Sequence, residues 1–240
     1  MKRSGVTVSR EISELGERFG VALPGLEAIL ELEAVDPGAS TKIRDPHEAV
    51  SRHVADSLVA LEIPEVRTAR RIADLGSGAG WPGLALAAAL PSASVALVES
   101  ATKRCAYLER AVEAGGLANV EVVHARAEEW ADGRGACDLV TARALAALPV
   151  VCEYAAPLLA EGGILVAWKG EASADEAQAG AAAATELGFE VGEVRRVSPY
   201  PEAERRTLHV FRKIAPTPER FPRRAGMAVK RPLGAGQRRQ

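Results

Sequence analysis

Residues 74–83, Asp-Leu-Gly-Ser-Gly-Ala-Gly-Trp-Pro-Gly, put three glycines, Gly76, Gly78 and Gly80, into five positions. Glycines so spaced suit a backbone that turns sharply and lets a ligand approach closer than a Cβ permits. A bare turn between a strand and a helix is the competing account, but it does not need three glycines. Counted from Gly76, the third glycine of a GxGxxG fingerprint arrives one residue early and Trp81 takes its place, a register that argues against NAD or FAD. No Gly-Lys-Ser/Thr follows, which excludes a P-loop. Gly76, Ser77, Gly78, Gly80 and Trp81 are therefore candidate cofactor contacts.

Glu99 stands 23 residues after Gly76, where a second strand should end. An acid there can accept hydrogen bonds from both ribose hydroxyls of an adenosine, although a solvated strand end is the plainer reading. Ala127-Glu128-Glu129 follows the third expected strand and offers an acid to an adenine amino group, though acidic loops are common. Arg143, just past the fourth strand, and Lys169, ending the fifth, fall on the carboxyl edge where open α/β sheets collect ligands. Lys169 could equally be a strand-end lysine in solvent. His53 and Asp56 lie three apart on one helix face, either as a pair stitching the N-terminal helices to the domain or as a substrate contact.

These residues need elements to hold them. Apolar positions at helical spacing, with Pro24 as a break, give two helices within 9–35. Asp45-Pro46-His47-Glu48 is a strong helix start, with Val50, Val54, Leu58 and Leu61 as the buried stripe. Strands at 72–75, 94–98, 120–124, 137–141 and 164–168 then alternate with helices at 82–90, 102–114, 148–159 and 173–187. A hairpin of 190–197 and 206–214 closes the series. This pattern implies an α/β, Rossmann-like, seven-stranded and mostly parallel sheet with an antiparallel C-terminal hairpin. The expected organisation is a helical extension 1–65, a cofactor domain 66–214 and a basic tail 215–240.

With 48% hydrophobic and 26% charged residues the composition is that of an ordinary soluble chain, and no apolar run is long enough for a membrane span. The expected location is the cytoplasm, as a monomer. Cys105, Cys137 and Cys152 lack CxxC spacing and nearby histidines, so they read as buried thiols and no metal site is expected. From Arg212 to the C-terminus nine basic residues face the single acid Glu219, a net +8 that leaves -10 on residues 1–211. Such asymmetry points to a polyanionic partner or, more blandly, to a solvated tail.

Taken together these stretches resemble the bacterial small-subunit ribosomal RNA methyltransferase G family, also called GidB. The matching pieces are Arg44-Asp45-Pro46, residues 52–58, the run 74–83, Lys103-Arg104, Ala127-Glu128, residues 141–144, residues 168–170, Arg206, and 213–233 with Pro222-Arg223-Arg224. The resemblance implies a class I fold and S-adenosylmethionine as cofactor, with Gly76, Trp81, Ala127, Glu128 and Arg143 at the cofactor-contacting positions. It further implies methyl transfer to N7 of a guanine in 16S ribosomal RNA, in the 530-loop region, on naked RNA or the small subunit. Arg143, Lys169, His53 and Arg206 would orient that substrate, while Lys103, Arg104, Lys169, Arg223 and Arg224 would meet RNA.

The implied chemistry needs no general base, because guanine N7 is an unprotonated lone pair at neutral pH. Alignment alone can contribute on the order of 7–11 kcal/mol. Consistently, the chain lacks Asp/Asn-Pro-Pro-Tyr for amino-group methylation and a Pro-Cys or Thr-Cys nucleophile. The A-form major groove is deep and narrow, so the target should be unpaired or flippable. Rival readings are a methyltransferase for a small molecule or protein, an idle RNA-binding assembly protein and, last, an NAD oxidoreductase.

Overall fold

The computed structural model describes residues 7–170 and 172–234; Arg238 and Arg239 of the basic tail lie outside them. The alternation read in the sequence becomes strands β1 (Arg71–Leu75), β2 (Ser94–Glu99), β3 (Val120–His124), β4 (Cys137–Arg143), β5 (Leu159–Lys169), β6 (Phe189–Val197) and β7 (Arg206–Lys213). They form one sheet in the order β3-β2-β1-β4-β5-β7-β6. Strands β1 to β5 pair in parallel, and β7 runs antiparallel to both β5 and β6. Strand order reverses beside β1, between β2 and β4, which opens a crevice at the carboxyl edge.

Successive strand residues point to opposite faces. Ile72, Leu97, Leu139 and Val166 therefore enter one core, and Ala73, Val98, Val140 and Leu165 the other. The first core is roofed by α1 (Val8–Phe19), α2 (Leu26–Val35), α3 (Pro46–Ala49), a π-helical stretch (Val50–Ala55), α4 (Asp56–Leu58), α5 (Pro64–Thr68), α6 (Gly83–Ala89) and α7 (Thr102–Gly115). The second core is covered by α8 (Leu148–Ala155), α9 (Ala174–Glu186) and the C-terminal segment carrying α10 (Met227–Lys230). Among the described residues no helix is long and apolar enough to cross a membrane.

Three departures from the sequence expectation matter. The helix capped by Asp45 widens into a π stretch over Val50–Ala55. One residue inserted into the winding turns the downstream side chains by about 100°. Val50, Val54, Leu58 and Leu61 still face the core, yet His53 and Asp56 are buried with them. The helix expected over 148–159 stops at Ala155, because Pro157 lacks an N–H and crowds the preceding turn; Leu159 opens β5 instead.

The C-terminal segment is not a solvated tail. Phe221 and Ala228 are buried, Leu233 packs against the same core, and the Thr217 hydroxyl donates to Ala156 O at 2.9 Å. A count of its charges conceals these apolar residues, and burying a phenylalanine contributes about 1.5–3 kcal/mol.

Candidate active site

Gly76, Gly78 and Gly80, with φ of +64°, +56° and +94°, form the loop between β1 and α6, a left-handed path that favours glycine. A Cβ on Gly78 would meet only Gly76 O at 3.7 Å and Ser40 Cβ at 4.0 Å, ordinary contact. One on Gly76 or Gly80 would fall 2.5 Å from Leu145 Cδ1 or 2.2 Å from Leu84 Cδ1, so those two glycines make room for the protein's own leucines. Counted from Gly78 rather than Gly76, the run does keep the GxGxxG spacing. Gly83 also fills the last glycine's packing role, since a Cβ there would lie 2.2 Å from Leu97 Cδ2. The glycine register therefore does not by itself exclude a dinucleotide.

Asp74, buried beneath the loop, ties it to the sheet: the Thr141 hydroxyl donates to Oδ1 at 2.7 Å and Gly83 N–H to Oδ2 at 3.3 Å. Burial raises its carboxyl to about 6 against these donors. Glu99 is 3% exposed and joins two loops. Its Oε1 accepts from Ser100 N (2.8 Å) and Ala101 N (2.9 Å), and its Oε2 accepts from Gly78 N at 3.1 Å. Alongside lies a slot of about 110 Å³ lined by Gly76, Val98, Ser100, residues 125–128, Leu145 and Tyr154. A left-handed glycine loop with Gly76 on the slot wall, a carboxylate beside it and a narrow slot suit an adenosine-bearing cofactor.

A second cluster sits where the N-terminal helices meet the ends of β4 and β7. Asp56, fully buried, takes Arg143 Nη1 at 3.0 Å on Oδ2 and Arg206 Nε at 2.8 Å on Oδ1. Its own carbonyl accepts the Trp168 indole N–H at 2.7 Å. His53 lies between, with Nδ1 3.4 Å from Arg143 Nη2 and Nε2 3.1 Å from Thr41 Oγ1 and 3.3 Å from Glu33 Oε1. A guanidinium only donates, so Nδ1 is the acceptor and the proton belongs on Nε2. Burial, aided by the Arg143 charge, lowers His53 to about 3, so the ring is neutral. It stacks on Trp81 at 5.7 Å and 12°. The Trp81 indole donates to Glu33 Oε2 at 2.7 Å, and burial pushes the Glu33 carboxyl up to about 7.

The expected residues thus separate. Gly76, Ala127 and Glu128 line the slot, while Glu99 bonds to Gly78 beside it. Trp81 does not line the slot: it is buried against Glu33 and His53. Arg143 spends its donors on Asp56, His53 and Arg52 O. Lys169 is held by Glu176 Oε1 at 2.6 Å and Ala146 O at 3.1 Å. Lys103 and Arg224 are exposed, Arg104 leans on Glu99 at 3.6 Å, and Arg223 is bound to Glu153. The His53-Asp56 pair does not form; each stitches the N-terminal helices through other partners. Sequence reasoning missed Glu33 and Tyr154, and it missed the hold of Asp56 on two arginines. The available signal was an acid on an otherwise inward-facing helix stripe.

The sheet order, antiparallel β7 and glycine loop define the architecture of S-adenosylmethionine-dependent methyltransferases. The fold is similar to an S-adenosylmethionine-dependent O-methyltransferase from Thermotoga maritima (21% identity, TM-score 0.54, 80% of this chain and 73% of that one). It is also similar to Aeropyrum pernix fibrillarin solved with S-adenosylmethionine (18% identity, TM-score 0.51, 65% of this chain and 72% of that one). A family model described as rRNA small subunit methyltransferase G, GidB, matches residues 39–205. Ribosomal RNA small subunit methyltransferase G of Rubrobacter xylanophilus is 40% identical over 97% of this chain and 88% of its own. Its namesake from Roseiflexus castenholzii is 44% identical over 80% of this chain and 83% of its own. The chain belongs to the rRNA small subunit methyltransferase G family.

Proposed function

We propose that this protein transfers a methyl group from S-adenosylmethionine to N7 of a guanine in 16S ribosomal RNA, in the 530-loop region, as a cytoplasmic monomer. The observation that supports the reading is the bond from Gly78 N–H to Glu99 Oε2 at 3.1 Å, which keeps the acid we assign to the ribose beside the glycine loop. Bound S-adenosylmethionine supplies a methyl group on a positively charged sulfur. Glu99 would hold the ribose hydroxyls, Glu128 would meet the adenine amino group, and Gly76 and Gly78 would border the rest. Ser77, buried and donating to Asp74 O, and Gly80, packed against Leu84, shape the loop and do not line the slot. Trp81 supports the loop from behind.

No side chain has to remove a proton from guanine N7, so the residues act by alignment. Arg143 and neutral His53 shape the acceptor's place, and Lys169 fixes the loop after β4 through Ala146 O. Arg206 also lines two adjoining clefts of about 340 and 270 Å³, together with Arg205 and Glu204. We assign a phosphate of the RNA strand to that side of Arg206. Lys103, Arg104 and Arg224 add sequence-independent attraction, so RNA binding weakens steeply with salt.

Incubation of purified protein with S-adenosylmethionine and 16S ribosomal RNA or small subunits, followed by mass mapping, should reveal one N7-methylguanosine that Glu99→Ala fails to make. Absence of S-adenosylmethionine binding by calorimetry overturns the reading.

A further inference from the structure

The segment after β7 crosses the second face of the sheet and ends against the cofactor slot. Arg223 forks onto both oxygens of Glu153, which is 1% exposed. Three residues on, Gly226 N–H donates to Glu128 Oε1 at 3.0 Å. Tyr154, next to Glu153 on α8, is itself a buried slot residue, and its phenol faces the same Glu128 carboxylate; burial and that charge together raise it above its usual range. Glu128 sits in a three-residue 3₁₀ turn, Ala127–Glu129, and is half-buried. One turn of backbone does not fix a glutamate; a donor from the C-terminal segment and a phenol from α8 on its other side can.

We propose that the C-terminal segment is part of the cofactor site, with Gly226 N–H and the Tyr154 hydroxyl acting as positioning groups that aim the Glu128 carboxylate into the slot. A carboxylate has about four acceptor sites, so two remain for an incoming amino group. The Arg223–Glu153 fork and buried Phe221 hold the segment in register for that contact. The inference rests on the reading that Glu128 meets adenine. It gives the described part of the basic tail, residues 215–234, a place at the cofactor site in addition to any attraction for RNA.

The test is calorimetric titration of the full chain with S-adenosylhomocysteine and with its inosine counterpart, in which an oxygen replaces the adenine amino group. Wild type should favour the adenosine form by about tenfold, the worth of one hydrogen bond to a charged group. Tyr154→Phe keeps the ring, and Glu153→Ala/Arg223→Ala frees the segment without stranding a charge. Each should reduce that preference to about threefold or less. The ratio of two ligands cancels a general loss of fold, which weakens both alike. A wild-type preference retained in full by both variants overturns the proposal alone. No preference in wild type means that Glu128 does not meet adenine, and the reading beneath the proposal fails with it.

Discussion

Asp56 and Glu153 are both buried to 1% exposure or less, and arginines answer them in different ways. Glu153 meets one guanidinium, Arg223, through both oxygens, and the charge closes to zero. Asp56 meets two, Arg143 and Arg206, and one positive charge is left over. A closed fork is a fastener: it lashes the C-terminal segment to α8 and presents nothing outward. The unequal set leaves a field at the carboxyl edge of the sheet, where Arg206 reaches the clefts beside the hairpin. The number of basic residues in a segment therefore says less about RNA than whether each guanidinium already has a buried partner.

The largest effect should come from removing the acid of the unequal set. Asp56→Ala leaves two guanidiniums facing each other without a counter-charge, and breaking a buried pair costs about 3–5 kcal/mol. Chemical denaturation should register that loss. Asp56→Asn keeps the shape and should lower methylation by about 100-fold, because a misplacement of about 1 Å costs that much in an alignment-driven reaction. Near-normal turnover in Asp56→Asn would reduce the cluster to a second fastener.

The next pair of variants sets the two regions directly against each other. Arg223→Ala strands Glu153 and should cost about 3 kcal/mol, or about 6–12 °C in Tm for a chain of this size. The salt dependence of its RNA binding should stay as in wild type. Arg206→Gln leaves Asp56 with Arg143, so its Tm should move little, while the slope of log affinity against log salt should fall by about one. If both variants flatten the slope equally, the distinction between fastener and site is lost.

Much of the cofactor half was legible because its signals are local. The glycine loop, the strand before it and Glu99 at the end of the next strand lie within thirty residues of one another. Their roles follow from backbone conformation and strand ends. The acceptor half was not legible, since its pairings join Asp56 to Arg143 and Arg206 across long stretches of chain, and the same distance hides the Glu153–Arg223 fork behind the cofactor slot. Periodicity marks which helix face is buried; it does not reveal that a π turn buries Asp56 as well. Charge counting likewise made residues 215–240 look uniform, although Arg223 is tied to Glu153 and Arg224 is exposed.

The finest test concerns Glu33, which decides how far the surplus charge around Asp56 is answered. Burial raises this carboxyl to about 7, with the Trp81 hydrogen bond and the Arg143 charge opposing the rise. An acid whose folded value lies above its unfolded one, here about 4.5, binds its proton more tightly when folded. Protonation therefore favours the folded state, and stability is lost as pH rises from about 4.5 through 7. Between pH 6 and 8 the loss from Glu33 should be about 1 kcal/mol. Asp74, raised to about 6, has the same sign, with most of its effect at lower pH. His53 has the opposite sign: its folded ring stays neutral, lowered to about 3, while the unfolded ring takes a proton near 6.5, so its share of stability grows as pH rises through 6.5. Urea denaturation at half-unit intervals should follow the sum of these contributions, and Glu33→Gln, whatever it costs in absolute stability, should remove the Glu33 share of the fall between about pH 4.5 and 8. If Glu33→Gln leaves the pH 6–8 limb as steep as in wild type, Glu33 is ionised across the range and the second arginine on Asp56 is fully answered. The unequal set would then close as completely as the Arg223 fork.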